Sequence, residues 1–381
     1  MKEQNKRVKV LQVVPLGTGG VTSLVLNIAE SIDKDKVAFD YLTFYDRKEF
    51  AEERALACGG KKYVVPIDHY SNPVIRALFK FFYAIKVIRS CNPDVLHLNT
   101  SQPYEVLVGI SAKLAGTNKV FFHSHNSSTE KKSVTSQIVN ACCKKIIPFI
   151  SDCNLACSFL AAEYMYTKKV VKEKNYILIK NGIQTDKYKF SNSIRNEYRS
   201  KLGLEDKIVI GHIGRFTKQK NHKFMVDIFE QIHKKNPKTV LLLIGVGELF
   251  DEIQCYVKNK DLGQSIIFYG ATTEVPKLLQ AMDCFLFPSL YEGLPVAGVE
   301  VQAAGLPIIM SDTITRELDI AGLATYVSLE ESADKWADIV LEVCRQKIDR
   351  ESKADAVKKA GFDIKETADM LTKLYIVETE K

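Results

Sequence analysis

Twelve short apolar runs alternate with segments of helical period along the whole chain. In the first half they fall at Lys9–Val14, Phe39–Phe44, Val95–Leu98, Val120–His123, Cys153–Ala156 and Tyr176–Ile179. In the second half they fall at Val209–Ile213, Val240–Ile244, Ile266–Tyr269, Cys284–Pro288, Pro307–Ser311 and Ala324–Val327. Strands separated by helices imply parallel sheets covered on both faces. Six strands in each half predict two Rossmann-like α/β domains rather than one very wide sheet. A chain of 381 residues also exceeds what one core usually holds. The polar stretch "KNGIQTDKYKF", Lys180–Phe190, is the place for the crossover. The expected division is 1–182, 183–360, and a terminal helix at 361–381 that returns to the first domain. Paired domains of this kind place a ligand at the carboxyl ends of their strands, so functional motifs should sit just after apolar runs.

They do. The first run ends in "PLGTGG" and leads into a helical pattern, a layout that offers backbone N–H groups to a phosphate. Gly17 and Gly19 fit a dinucleotide fingerprint, but Thr22 stands where the third glycine belongs and Gly20 is additional. In "CFLFPSLYEGLPVAGVEVQAAGLPIIMSD", Cys284–Asp312, a buried strand leads through a loop to a helix expected to start near Leu294–Pro295. Proline suits the first helical position. The N–H groups of Gly293 and Leu294 there could receive a phosphate. Glu292 and Glu300 stand eight apart, and Glu300 lies among Val, Gly and Ala. A carboxylate in such surroundings needs a dedicated partner; a ribose diol and a structural ion pair both qualify.

In "IVIGHIGRFTKQKNHKFMVDIFEQI", Ile208–Ile232, glycines 211 and 214 close the strand and Arg215 and Lys220 follow. A planar fork beside a point charge suits a diphosphate, although each cation alone reads as an ordinary surface group. In "NKVFFHSHNSS", Asn118–Ser128, His123, His125 and Asn126 gather at a strand end. No further His or Cys cluster completes a metal site, so hydrogen bonding to a sugar or acceptor is the better reading. The one D-x-D, Asp33–Lys34–Asp35, lies in a polar segment after the first helix and reads as no metal site.

Composition narrows the class. No apolar run reaches the roughly 18–20 residues of a membrane span. "MKEQNKRVKV" lacks a signal-like apolar stretch, and the nine scattered cysteines show no CxxC or metal spacing. Together these predict a cytoplasmic protein with reduced thiols. Residues 1–180 carry 26 Lys+Arg against 16 Asp+Glu, and the remainder carries 27 against 30. A basic first half faces either solvent or something anionic. "NPVIRALFKFFYAIKVIRSCNPD", Asn72–Asp94, places Arg76, Lys80, Lys86 and Arg89 on about half a helix. Basic-plus-aromatic composition suits anionic lipid, and an ordinary sheet-covering helix is the competing reading. Lys131, Lys132, Lys144 and Lys145 add charge to the same domain. No nucleic-acid motif accompanies it.

The glycine loop, a His after a middle strand, "NGI" at the crossover, "GR" followed by Lys, and E-x7-E within "EGLPVAGVE" occur in one order from position 17 to 300. In this the chain resembles the retaining GT-B glycosyltransferases of family 4, the "group 1" set of bacterial polysaccharide, lipid and cell-surface transferases. The resemblance implies a nucleotide-sugar donor, with UDP ahead of GDP, held mainly by the second domain. Arg215 and Lys220 would neutralise the diphosphate with help from Gly293 and Leu294. Glu300 would hold the ribose, Glu292 the transferred sugar, and Tyr269–Gly270 the base. Gly19 and Gly20 would approach the diphosphate, and His125 or His123 the sugar. It further implies metal-independent, same-face transfer to a saccharide or lipid-linked acceptor, the leaving phosphate taking the acceptor's proton. Domain closure would assemble such a site and exclude water.

Three rivals remain. A nicotinamide dehydrogenase could use Asp46 on a ribose, but Thr22 breaks its fingerprint. A GT-B-like sugar-nucleotide epimerase needs acid/base carboxylates beyond Glu292. A non-catalytic saccharide or lipid binder leaves "EGLPVAGVE" unexplained.

Overall fold

The computed structural model describes residues 7–67, 69–127 and 134–380. The chain divides into two compact units, one formed by residues 1–182 and 364–381, the other by 183–363.

In the first unit seven strands form one sheet: β1 (Val8–Val13), β2 (Val37–Thr43), β3 (Lys62–Val64), β4 (Val95–Thr100), β5 (Lys119–Ser124), β6 (Cys153–Ala156) and β7 (Ile177–Leu178). Their order is β3-β2-β1-β4-β5-β6-β7, and every pairing is parallel. Six of the seven follow the apolar runs; β3 is an addition. It is three half-buried residues at the sheet edge, too short and too polar at Lys62 to register as a run. The central strands are covered on both faces, which is why Val10, Leu11, Leu96, Val120, Phe121 and Phe122 are buried without alternation. The helix Ile364–Glu380 packs on this sheet and the helix Gly20–Ser31 through buried Leu371 and Tyr375.

In the second unit six strands, β8 (Ile208–Ile213), β9 (Thr239–Ile244), β10 (Ile266–Gly270), β11 (Cys284–Phe287), β12 (Ile308–Ser311) and β13 (Ala324–Val327), run parallel in the order β10-β9-β8-β11-β12-β13. Its core joins Ile210, Leu241 and Leu286 to Phe216, Phe229 and Trp336. Both sheets switch direction beside their first strand. The chain ends of β1/β4 and of β8/β11 therefore open a crevice within each unit, the place where doubly wound sheets bind ligands.

Candidate functional site

In the second unit the loop after β8 is sewn to the loop after β11. Leu290 N–H donates to the Gln219 carbonyl at 2.9 Å, and Asn221 Nδ2 to the Pro288 carbonyl at 3.1 Å. Gln219 Nε2 donates to the Tyr291 carbonyl at 2.9 Å and to Glu292 Oε2 at 3.2 Å. Within this frame Lys220 Nζ meets Glu292 Oε1 at 2.6 Å, with side chains only 15% and 7% exposed, and lies 4.8 Å from the Phe287 ring centre. Arg215 is exposed, and its guanidinium has no hydrogen bond or ion pair among the described residues. The structure thus brings Arg215, Lys220 and Glu292 to one strand-end edge. Tyr269 and Gly270 end β10 on the same edge, where the Gly270 carbonyl accepts from Gly245 N–H at 2.9 Å. The Tyr269 hydroxyl donates to Glu274 Oε2 at 3.3 Å.

The helix after this loop spans Val296–Ala303, with Pro295 as its N-cap. The proline therefore stands one position before the first helical residue, not within the first turn, and the helix begins later than Leu294. Gly293 and Leu294 precede the cap and are buried. Glu300 is buried on the helix, and its Oε1 accepts from the Tyr188 hydroxyl at 2.5 Å. A buried carboxylate needs a partner, and within the unit one is a tyrosine hydroxyl.

Beneath the Gly214 turn lies a histidine pair. His212 donates from Nδ1 to the Leu286 carbonyl at 2.9 Å, and its Nε2 is buried with no partner among the described residues. His222 stacks on Phe216 at 4.0 Å and stands edge-on to His212 at 5.0 Å. Burial, with Lys220 nearby, pushes His222 down to about 3 and His212 well below the ordinary range. Both rings are therefore neutral at pH 7.

In the first unit Gly19 caps the helix Gly20–Ser31 and Gly20 is its first residue. Thr22 Oγ1 donates to the Pro15 carbonyl at 2.7 Å, so the residue in the third-glycine position closes the turn by its own hydrogen bond. Buried Glu49 braces the turn from below, accepting from Leu16 N–H at 3.0 Å and Thr43 Oγ1 at 2.7 Å. At the end of β5, His123 is fully buried while His125 is partly exposed. Their rings lie 4.0 Å apart, and Asn126 follows, accepting from Ser127 N–H at 3.0 Å. Asp46, the candidate for a nicotinamide ribose, is exposed. Asp33 is occupied by Lys36 at 2.9 Å.

Against known families, residues 18–187 match the model for Glycosyltransferase Family 4, and residues 194–361 that for Glycosyl transferases group 1. The chain is a family 4, group 1 glycosyltransferase. EpsF of Bacillus subtilis, whose name places it among glycosyltransferases, is 29% identical over 388 residues, covering 100% of this chain and 99% of that protein. The UDP-Gal:α-D-GlcNAc-diphosphoundecaprenol α-1,3-galactosyltransferase of Escherichia coli is 26% identical, over 83% and 84% of the two chains. Anabaena HepE, solved with UDP and glucose, superposes with a TM-score of 0.77 at 17% identity over 97% and 99%. Together with the two sheets above, this likeness identifies the fold as GT-B.

Several residues of this glycosyltransferase escaped sequence reasoning. Gln12, His97 and His212 are polar side chains inside buried strands, and that misfit with an apolar run was the available signal. Glu49 and Tyr188 carried none: Glu49 reaches Leu16 across 33 positions and Tyr188 reaches Glu300 across 112. Of the basic groups, Lys80 is not a free surface charge: it pairs with Glu105 at 3.1 Å and lies over the Phe44 ring at 3.7 Å. Lys131 and Lys132 lie outside the described residues.

Proposed function

We propose that the protein transfers a hexose or N-acetylhexosamine, with retention, from a UDP-sugar to a saccharide or lipid-linked acceptor in cell-surface polysaccharide biosynthesis. The observation that carries this reading is the Lys220–Glu292 pair beside exposed Arg215 at one strand-end edge. As the sugar–phosphate bond breaks, negative charge grows on the leaving diphosphate, and Arg215 and Lys220 are the cations to stabilise it. Glu292, which holds Lys220 in the free protein, would take hydroxyls of the transferred sugar. The acceptor oxygen forms the new glycosidic bond, and its proton passes to the leaving phosphate. In this reading positive side chains do the work a divalent ion does elsewhere. UDP as nucleotide is supported by the likeness to HepE, which has been solved with UDP and with UDP-glucose. A lipid-diphosphate acceptor is supported by the names of the Escherichia coli relative and a Campylobacter jejuni one.

The test is a panel of UDP- and GDP-sugars scored by thermal shift and by hydrolysis, with NAD as control. At a hundredfold excess over Kd a cognate donor adds about 2.7 kcal/mol of stability. Stabilisation by NAD and by no sugar nucleotide would overturn the reading.

A peripheral position on the inner membrane face belongs to the same proposal. No helix among the described residues is long and apolar enough to cross a membrane. The helix Pro73–Cys91 nevertheless exposes Val74, Ile75, Leu78 and Phe82, and the helix Val134–Ile150 exposes Val134, Ile138, Ile146 and Phe149. Spacing near four gives each helix an outward apolar stripe, with exposed Arg76, Lys86, Arg89 and Lys145 alongside. Apolar stripes with cations alongside fit an anionic bilayer surface. We expect Phe82→Glu/Phe149→Glu to cut co-sedimentation with phosphatidylglycerol vesicles several-fold, with phosphatidylcholine vesicles as the low baseline. Equal sedimentation of wild type and variant would remove the membrane from the proposal.

A further inference from the structure

Tyr188 and Glu300 stand 112 positions apart in sequence, and both are buried where their side chains meet. The Tyr188 hydroxyl donates to Glu300 Oε1 at 2.5 Å. The tyrosine is the more firmly held of the two. It closes the short turn Thr185–Tyr188, just after the chain enters the second unit. At the start of this segment Ile183 N–H donates to the Phe362 carbonyl at 2.9 Å, and Thr185 Oγ1 to Asp363 Oδ2 at 2.8 Å. At its end the Tyr188 carbonyl accepts from Nε2 of buried Gln280 at 3.2 Å, and Gln280 Oε1 accepts from Ser191 N–H at 3.3 Å. The Phe190 ring centre then lies 4.2 Å from the Arg350 guanidinium. A turn fastened at both ends leaves the tyrosine two side-chain torsions, whereas glutamate has three and its last one is broad. The hydroxyl is therefore the fixed point, and the carboxylate is the group that is aimed.

The bond leaves the carboxylate able to act. A hydroxyl has one proton, and Tyr188 gives it to Oε1; a carboxylate offers two oxygens with about four acceptor positions. Glu300 is thus an acceptor of set orientation on the helix Val296–Ala303, just beyond the loop that carries Glu292. A pair of neighbouring hydroxyls is the donor group that one oriented carboxylate distinguishes best. A ligand lacking one of the two leaves a site built for both incompletely paired.

We propose that Tyr188 is a positioning residue for nucleotide selection: it holds the Glu300 carboxylate where it accepts from a ribose diol, and so sets the preference for ribose over deoxyribose. That the ligand carries a ribose rests on the nucleotide-sugar reading above. That Tyr188 aims Glu300 rests on the hydrogen bond and the fastened turn.

The experiment is calorimetry of the full chain with UDP against 2′-deoxy-UDP, and with GDP against 2′-deoxy-GDP as a second pair. The wild type should bind the ribonucleotide about tenfold tighter than its deoxy form, the worth of a hydrogen bond to a charged acceptor. Tyr188→Phe keeps the ring and removes only the hydroxyl. It should weaken the ribonucleotide and spare the deoxy form, cutting the ratio to about twofold while the melting curve stays cooperative. Glu300→Gln should abolish the ratio, and adding Tyr188→Phe to it should change the ratio no further, because both act through one carboxylate. A ratio preserved in Glu300→Gln would overturn the ribose role of Glu300, and this inference with it. A ratio lost in Glu300→Gln but preserved in Tyr188→Phe would overturn the positioning role and leave the ribose role standing. Equal weakening of both forms by Tyr188→Phe would reduce Tyr188 to a structural prop. Binding of neither nucleotide pair would overturn the nucleotide-sugar reading and this inference together.

Discussion

Lys220→Met lowers the stability of the second unit by about 3–5 kcal/mol, because it leaves the Glu292 carboxylate buried without its cation. For a unit of this size that is a fall of roughly 10 °C in melting temperature. The double variant Lys220→Met/Glu292→Gln removes both charges and returns to within about 1 kcal/mol of the wild type, since a buried pair replaced as a whole is near neutral. Transfer behaves differently. On the proposed reading both variants lose turnover by about a hundredfold or more, because the missing cation would stabilise charge on the leaving diphosphate. Thermal denaturation read beside donor turnover separates the two effects. A stable double variant with near-normal turnover would remove Lys220 from the chemistry.

Gly245→Ala has the second large effect. Gly245 has φ +138°, and a Cβ there would stand 2.1 Å from the Gly214 carbonyl oxygen. Backbone cannot yield as a flexible side chain can, so positive-φ strain and overlap together cost about 3 kcal/mol or more. The displaced partner is the turn that presents Arg215, so on the proposed reading donor affinity falls with stability. Gly322→Ala provides the control. Its φ is +66° with no atom within 4 Å of the added Cβ, and it costs only about 1 kcal/mol. Equal effects of the two substitutions in thermal melts would show that strain alone, and not the close approach to Gly214, sets the cost.

Most of the fold was legible because parallel strands buried on both faces leave unbroken apolar runs. The exception, β3, borders solvent and has only three residues. The loop motifs were legible for a related reason: glycines and prolines mark where strands end, and charged residues just beyond them stand out against the apolar runs. The Pro295 boundary was off by one position because a proline serves equally before a helix and at its first residue. What could not be read was partnership. Spacing along a chain says nothing of Tyr375 reaching His97 across 278 positions, or of Tyr188 reaching Glu300. Sequence favoured His125 over His123 without separating them; burial does, His123 lying fully buried and His125 partly exposed.

The helix Ile364–Glu380 belongs to the first unit although it follows the whole second unit in sequence. On the ribosome, β1 to β7 therefore emerge long before the element that covers them, and the whole second unit is made in between. Until that helix is made, Gln12 and His97 lack the hydroxyl they share, and part of the apolar face of β1 is bare. Domains generally fold in order of emergence, but here the first to appear is the last to be completed. Stop codons or proteolysis near residue 364 would therefore strip Gln12 and His97 of their shared Tyr375 hydroxyl, while residues 183–363 keep their own core.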